Sequence, residues 1–148
     1  MPNSVAAYQT PEGTAGALAH VKSYDTATSP GIVIDRITGL QWQRSIAAGS
    51  GIYSWVEARN FCAALSLDGT AIWRVPTRVE LFSIVDTSRA NPAIDTLSFG
   101  DDAPAEVFWS ASPLVGDPGA ASAWAVNFTS GIPSVEDVLN PHQVRCVR

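Results

Sequence analysis

The chain contains two cysteines, Cys62 and Cys146, and whether they are joined constrains its fold more than any other feature. Cys62 falls on a segment with the apolar spacing of a helix. Cys146 falls in the last alternating stretch, close to the C-terminus. A bridge between them would close a loop of roughly 85 residues and stabilise the fold by about 4 kcal/mol in the chain-entropy description. It would tie the middle of the chain to its tail. Two free thiols in a cytosolic protein are the alternative, because disulfides persist in oxidising compartments. The placement of both cysteines on core-facing positions favours the bridge and an extracytoplasmic module.

At 148 residues, 46% of them hydrophobic, the chain is one domain in size and can bury a sizeable core. Its net charge of -5 argues against nucleic acid, since no basic stripe is present to displace counterions from phosphates. The same charge argues against electrostatic attachment to anionic membranes. No apolar run approaches the roughly 20 residues that span a bilayer, so membrane insertion is not expected. Pro2, Asn3 and Ser4 follow Met1 without a basic start or an apolar stretch, so no secretory signal is visible. Export is then the expectation for a piece of a longer secreted chain.

Residues 1–20 are rich in Ala, Gly, Thr and Pro and read as a flexible arm or linker. Residues 21–148 read as a single domain. Short strands are expected at 21–24 and 32–35, with Ser29-Pro30-Gly31 turning between them. Thr38-Gly39 is a second turn, and residues 40–43 alternate apolar and polar. Ser54 and Glu57 form a capping box that opens a helix, with Trp55, Ala58, Cys62 and Leu65 on one face. An Asp-Gly turn at Asp68-Gly69 follows it. Thr77 and Glu80 form a second box, and Leu81, Ile84 and Val85 supply the apolar face of a second helix. Residues 86–106 show no periodicity, which in a small domain marks a functional or mobile segment. Strands are then expected at 107–112, at 123–129 with Trp124, Val126 and Phe128 on one face, and at 143–148. Ser130-Gly131 turns after the second of these, and a small-residue loop spans 113–122. Strands with alternating faces alongside two helices define an α+β domain with antiparallel sheet.

Several of these segments share a pattern. Asp35-Arg36-Ile37-Thr38-Gly39-Leu40-Gln41-Trp42 resembles a D-x-x-T-G-L-x-W opening, and Trp55, Ala58 and Cys62 a W-x-x-A-x-x-x-C helix. Trp73-Arg74-Val75-Pro76-Thr77 with Glu80-Leu81 is similar to W-R-L-P-T-x-x-E-L. Phe108-Trp109-Ser110-Ala111-Ser112, Trp124-Ala125-Val126-Asn127-Phe128 and Val144-Arg145-Cys146-Val147-Arg148 complete the series. In this order they resemble the Lcl C-terminal family, a bacterial domain seen in a collagen-like adhesin. The resemblance runs from about Ile32 to Arg148. It implies a C-type-lectin-like fold, with two helices packed on a twisted antiparallel sheet with long loops and one helix disulfide-linked to a late strand. It also implies surface display and, for the adhesin, binding of sulfated polysaccharide. The Arg74–Leu81 stretch is also similar to a segment of the formylglycine-generating enzyme family. That chemistry uses an additional cysteine pair, and here both cysteines are taken up by the implied structural bridge.

The five tryptophans suit sugar stacking, but Trp42, Trp55, Trp73 and Trp124 sit at periodic positions and read as core or near-core with their indole N–H groups bonded. Trp109 lies opposite Phe108, beside the irregular loop, and reads as half exposed. Arg74 and Glu80 read as a structural pair at a helix cap. Asp101, Asp102 and Glu106 read as a solvated acidic loop. Calcium is possible there because it takes clustered oxygen ligands, with Asp95 as a further ligand beside Asp101 and Asp102. His20 and His142 are isolated, and His142 after Asn140-Pro141 reads as a surface turn residue. No nucleophile elbow, zinc spacing or phosphate-binding loop is present. The sequon at Asn127-Phe128-Thr129 falls within a strand, which argues against glycosylation.

These readings converge on a non-catalytic module that binds a carbohydrate or protein ligand through loops on a rigid scaffold. The candidate surface is residues 91–106 together with 113–122. Asn91, Asp101, Asp102, Glu106 and Trp109 are the candidate ligand-binding residues. An acidic domain would repel a polyanion unless Arg78, Arg89, Arg145 and Arg148 form a local basic patch. An enzyme of the formylglycine-generating fold and a purely structural module are the alternatives.

Overall fold

The computed structural model describes residues 22–46, 52–100 and 106–148. The expected N-terminal arm, with His20, and the loop at 47–51 lie outside these residues. The first sheet is antiparallel, in the order β1 (Tyr24–Asp25), β2 (Ile32–Asp35), β3 (Gln41–Gln43). Val33 pairs with Trp42, and both are fully buried. The Asp35 carboxylate builds the turn that follows β2. It accepts hydrogen bonds from the Ile37 amide and the Thr38 hydroxyl, each at 2.8 Å. Gly39 completes that turn at φ 78°, a left-handed conformation that glycine adopts without cost.

Both helices begin at the capping boxes expected of them. α1 (Trp55–Ala64) starts at Ser54, whose amide donates to Glu57 Oε2 at 2.9 Å. α2 (Arg78–Ser83) starts at Thr77, whose amide donates to Glu80 Oε2 at 2.8 Å. Arg74 clasps the same carboxylate through two bonds of 2.7 and 2.8 Å, which braces the turn into α2. After α1 the chain reverses at Asp68-Gly69, with φ 48° and 74°. Positive φ at both central residues is the signature of a tight type I′ turn, and Leu67 and Thr70 bridge across it.

The second sheet is antiparallel, in the order β4 (Val107–Pro113), β5 (Ser122–Asn127), β6 (Ile132–Asp137). The two helices pack on opposite faces of it. Leu81, Ile84 and Val85 of α2 and its C-terminal end join Phe108, Val126 and Phe128 in one buried cluster. Ala58 and Cys62 of α1 join Trp109, Ala123 and Ala125 in the other. Successive strand residues point to opposite faces, so a strand covered on both sides buries neighbours alike. This corrects the expectation for Trp109. It is fully buried rather than half exposed, and its indole N–H donates to the Tyr53 carbonyl at 2.7 Å.

Residues 143–148 were expected to form a strand. They run extended, but they pair through isolated bridges to three different segments instead of one ladder. Gln41 and Arg148 exchange two backbone bonds of 2.9 Å. Val147 exchanges bonds with Arg74, and the Gln143 carbonyl accepts from the Trp109 amide at 2.9 Å. The alternation within this segment is as expected. Val144 and Cys146 enter the α1 cluster, and Val147 enters the α2 cluster. Cys146 is disulfide-bonded to Cys62 with a Cα separation of 5.5 Å, so the tail is fastened to α1.

Two elements were not anticipated. β6 is, among the described residues, an edge strand paired with β5 alone. α3 (Thr96–Phe99) is a single turn inside the segment read as irregular, capped by Asp95, which accepts from the Leu97 amide at 3.1 Å and the Ser98 hydroxyl at 2.7 Å. Phe99 anchors it, fully buried and edge-on to Tyr24 at 5.1 Å.

Candidate functional site

A groove of about 780 Å³ lies between the first sheet and the C-terminal end of α2. Such a volume lies within the range typical of small-ligand pockets. β1, β2 and the Asp35 turn form one wall, and residues 82–89 with Asp95 and Leu97 form the other. Three large apolar side chains line it while facing solvent: Ile37, Phe82 and Leu97, at 69%, 43% and 78% exposure. They lie far apart in the chain, and the fold brings them to one groove.

The polar lining is charged and internally braced. The Lys22 ammonium donates to the carbonyls of Ser83, at 2.9 Å, and Val85, so it caps the open end of α2. Asp86 accepts from the amide and hydroxyl of Ser88, at 2.9 and 2.6 Å. Arg89 reaches Asp86 at 3.1 Å and Asp95 at 3.7 Å. The Ser88 hydroxyl, more than Arg89 or Lys22, holds the Asp86 carboxyl below its ordinary pKa. Burial pushes the Tyr24 phenol up, and the charges of Asp35, Asp95 and Asp86 push it further. Burial lowers the Lys22 pKa, against the same three carboxylates, which act to raise it. Tyr24 and Lys22 thus both sense one negative field set up by Asp35, Asp86 and Asp95.

The structure separates the two loops proposed as a joint surface. Residues 91–106 lead into the start of β4, whereas 113–122 connect its far end to β5. β4 has 7 residues, so the points at which the two loops join it lie about 20 Å apart. Asn91 and Glu106 do lie at the same end. The Asn91 amide donates to the Thr129 carbonyl at 2.9 Å, and the Glu106 carbonyl accepts from the Phe128 amide at 2.8 Å. Both residues are exposed. Trp109 is buried in the cluster on the α1 side of the sheet and presents no surface for a ligand to stack on. Asp101 and Asp102 lie outside the described residues. Asp95 is taken up by capping α3 and by Arg89. Among the described residues, no three His, Cys, Asp or Glu side chains group as a metal site.

The basic patch is also corrected. Arg145 is buried at 2% exposure, its guanidinium donating to the carbonyls of Gln43 and Arg44 and lying 5.0 Å over the Phe99 ring. Arg78 lies 4.4 Å over Trp124, which is half-buried and so near-core, as expected. Trp55 is likewise half-buried, bonded to the Ser110 carbonyl at 2.7 Å with Arg59 over its ring. Trp42 is fully buried, and among the described residues its indole N–H finds no acceptor, contrary to expectation. His142 is not a free surface residue. Its backbone bridges Tyr53, and its ring meets Trp109 edge-on at 4.9 Å.

Sequence reasoning missed the groove because its walls come from three distant segments. The apolar residues that the helix and strand periods leave unassigned, Ile37, Phe82 and Leu97, were the available signal.

A comparison with curated proteins gives no match. The Lcl C-terminal domain matches over residues 31–148. That span includes the Asp35 turn, both capped helices, both disulfide cysteines and all of the groove lining except Lys22 and Tyr24. Because it takes in most of the chain, the protein belongs to the Lcl C-terminal domain family.

Proposed function

We propose that this chain is a non-catalytic binding module of a secreted or surface-displayed bacterial protein. It takes a carbohydrate or protein ligand in the groove between the first sheet and α2, on a scaffold of the C-type-lectin-like kind. The observation that carries the reading is the groove itself, with three large apolar side chains held in water beside a braced, charged lining. Exposed apolar surface with a polar surround is typical of binding sites. The Cys62–Cys146 disulfide fits an oxidising compartment. Among the described residues, no helix is long and apolar enough to cross a membrane.

The enzyme reading has less support. Both cysteines of the chain are joined to each other, so no thiol is available for the chemistry of the formylglycine-generating enzymes. Two of the charged groupings have structural tasks. Arg74 and Glu80 brace a cap, and Arg89 links Asp86 to Asp95.

The test is an array of glycans and surface proteins, probed with the native chain and with Leu97→Arg, with and without chelator. A retained ligand that is lost on Leu97→Arg is the expected result. Binding that survives the substitution would move the site elsewhere. Binding abolished by chelator would return attention to calcium at the acidic loop.

A further inference from the structure

Resting on that binding reading, we infer that the groove accepts a polypeptide segment carrying apolar and cationic side chains together, and not a polyanionic glycan. Two independent features of the lining point there.

The first is shape and polarity. Ile37, Phe82 and Leu97 come from the β2–β3 turn, from α2 and from α3, and all line the groove while largely exposed. Apolar side chains at separate points along a cleft, two aliphatic and one aromatic, match apolar side chains spaced along an extended chain. Sugar recognition needs open polar groups beside an aromatic face such as that of Phe82. Here the carboxylates are already bonded to local amides and hydroxyls at Asp35, Asp86 and Asp95.

The second is charge complementarity. Asp35, Asp86 and Asp95 outnumber Lys22 and Arg89, and both cations are already engaged, by backbone carbonyls and by carboxylates respectively. With three carboxylates against two cations the charge left over is negative, and Asp35, Asp95 and Asp86 add to the burial that pushes the Tyr24 phenol up. A sulfated chain entering the groove would meet like charge, whereas a lysine or arginine side chain would be drawn in. Attraction across a partly desolvated cleft also fixes register and speeds encounter.

The experiment follows amide resonances of the native, disulfide-bonded chain during titration with three probes. These are a glycine-spaced Leu/Lys peptide, its Leu/Glu counterpart and a heparin oligosaccharide. The inference expects the Leu/Lys peptide to shift residues 37–38, 82–89 and 95–97, with an affinity that falls as salt rises. Ile37→Ser combined with Leu97→Ser should weaken it about tenfold, the effect of losing a little over one kilocalorie of apolar contact. Both side chains are exposed, so the variant's fold is checked by unchanged resonances elsewhere. Heparin or the Leu/Glu peptide shifting the same residues would overturn the partner class and leave the groove as a binding site. Shifts from the Leu/Lys peptide that scatter over the surface and ignore the double substitution would overturn the inference. Silence of all three probes would also overturn it. The array measurement with Leu97→Arg then reports separately on whether the groove binds anything.

Discussion

At the scale of single residues, strain and burial explain what the sequence leaves ambiguous. Ile72 holds φ at 67° while 84% exposed. A β-branched side chain in the left-handed region is strained by roughly 1–2 kcal/mol. No packing offsets this, so Ile72→Gly should raise stability by about 0.5–1 kcal/mol after the flexibility of glycine in the unfolded chain is counted. Urea denaturation would reveal the gain, and a loss would mean that Ile72 makes contacts its exposure hides. The residue-level titrations have an equally definite sign. Asp25 is held at about 2, chiefly by the Ala27 and Thr28 amides, against an ordinary value of 3.8. Glu80 is lowered chiefly by Arg74. A carboxylate depressed in the folded state stabilises above its ordinary pKa, and that contribution is lost as pH falls through the folded value. The chain should therefore lose stability progressively below about pH 4, and Asp25→Asn should flatten the part of the loss that runs down to about pH 2. An unchanged acid slope in that variant would remove Asp25 from the account. Trp109 shows the limit of residue-by-residue reading. Its neighbour Phe108 took the inward side in a one-faced strand, and only the presence of helices on both faces buries the pair.

At the scale of elements, legibility followed the strength of local chemistry. Ser54 with Glu57 and Thr77 with Glu80 satisfy amides that any helix start leaves open, so α1 and α2 could be placed from four residues. β6 could not. Pro133 supplies no N–H, Glu136 and Asp137 favour water, and most of the strand is exposed, which is the composition of an edge guarded against further pairing. Nothing in that pattern announces a strand. α3 is too short for periodicity, and only Asp95 two residues before Leu97 hinted at a cap. The β5–β6 turn yields a prediction at this scale. Gly131 is buried at φ 75°, and a Cβ there would lie 2.8 Å from Val85 Cγ1 and 3.2 Å from Ala93 Cβ. Gly131→Ala combines left-handed strain with overpacking against the end of α2 and should cost about 2–4 kcal/mol. Gly116 has φ 84° but open space around it, so Gly116→Ala should cost only the strain, about 1 kcal/mol. Thermal unfolding of the two variants separates the terms, and equal losses would show that the contacts at Gly131 relax without cost.

At the scale of the whole molecule, three layers are closed by one tail. α1 and α2 cover opposite faces of the second sheet, and residues 143–148 bind the first sheet, the Arg74 segment and β4 in turn. The family pattern made the partners visible in sequence, because Cys62 and Cys146 fall within two of its signatures. The groove was invisible because no local period connects Ile37, Phe82 and Leu97. The disulfide spans 84 residues, and a loop of that length contributes about 4.5 kcal/mol in the chain-entropy description. Whole domains are stable by only about 5–15 kcal/mol, so the bridge supplies a large share. Cys62→Ala with Cys146→Ala should lower the unfolding free energy by about 4–5 kcal/mol, since both sulfurs also sit in a fully buried cluster. The tail should be the first part to loosen, because its remaining ties are single bridges rather than a ladder. Hydrogen exchange on the double variant would then show early loss of protection at Cys146, Val147 and Arg148 and at their partners Gln41, Gln43 and Arg74. Uniform loss across β4 and β5 as well would mean that the tail is part of one cooperative core, and that the disulfide acts on the whole fold instead of fastening its last segment.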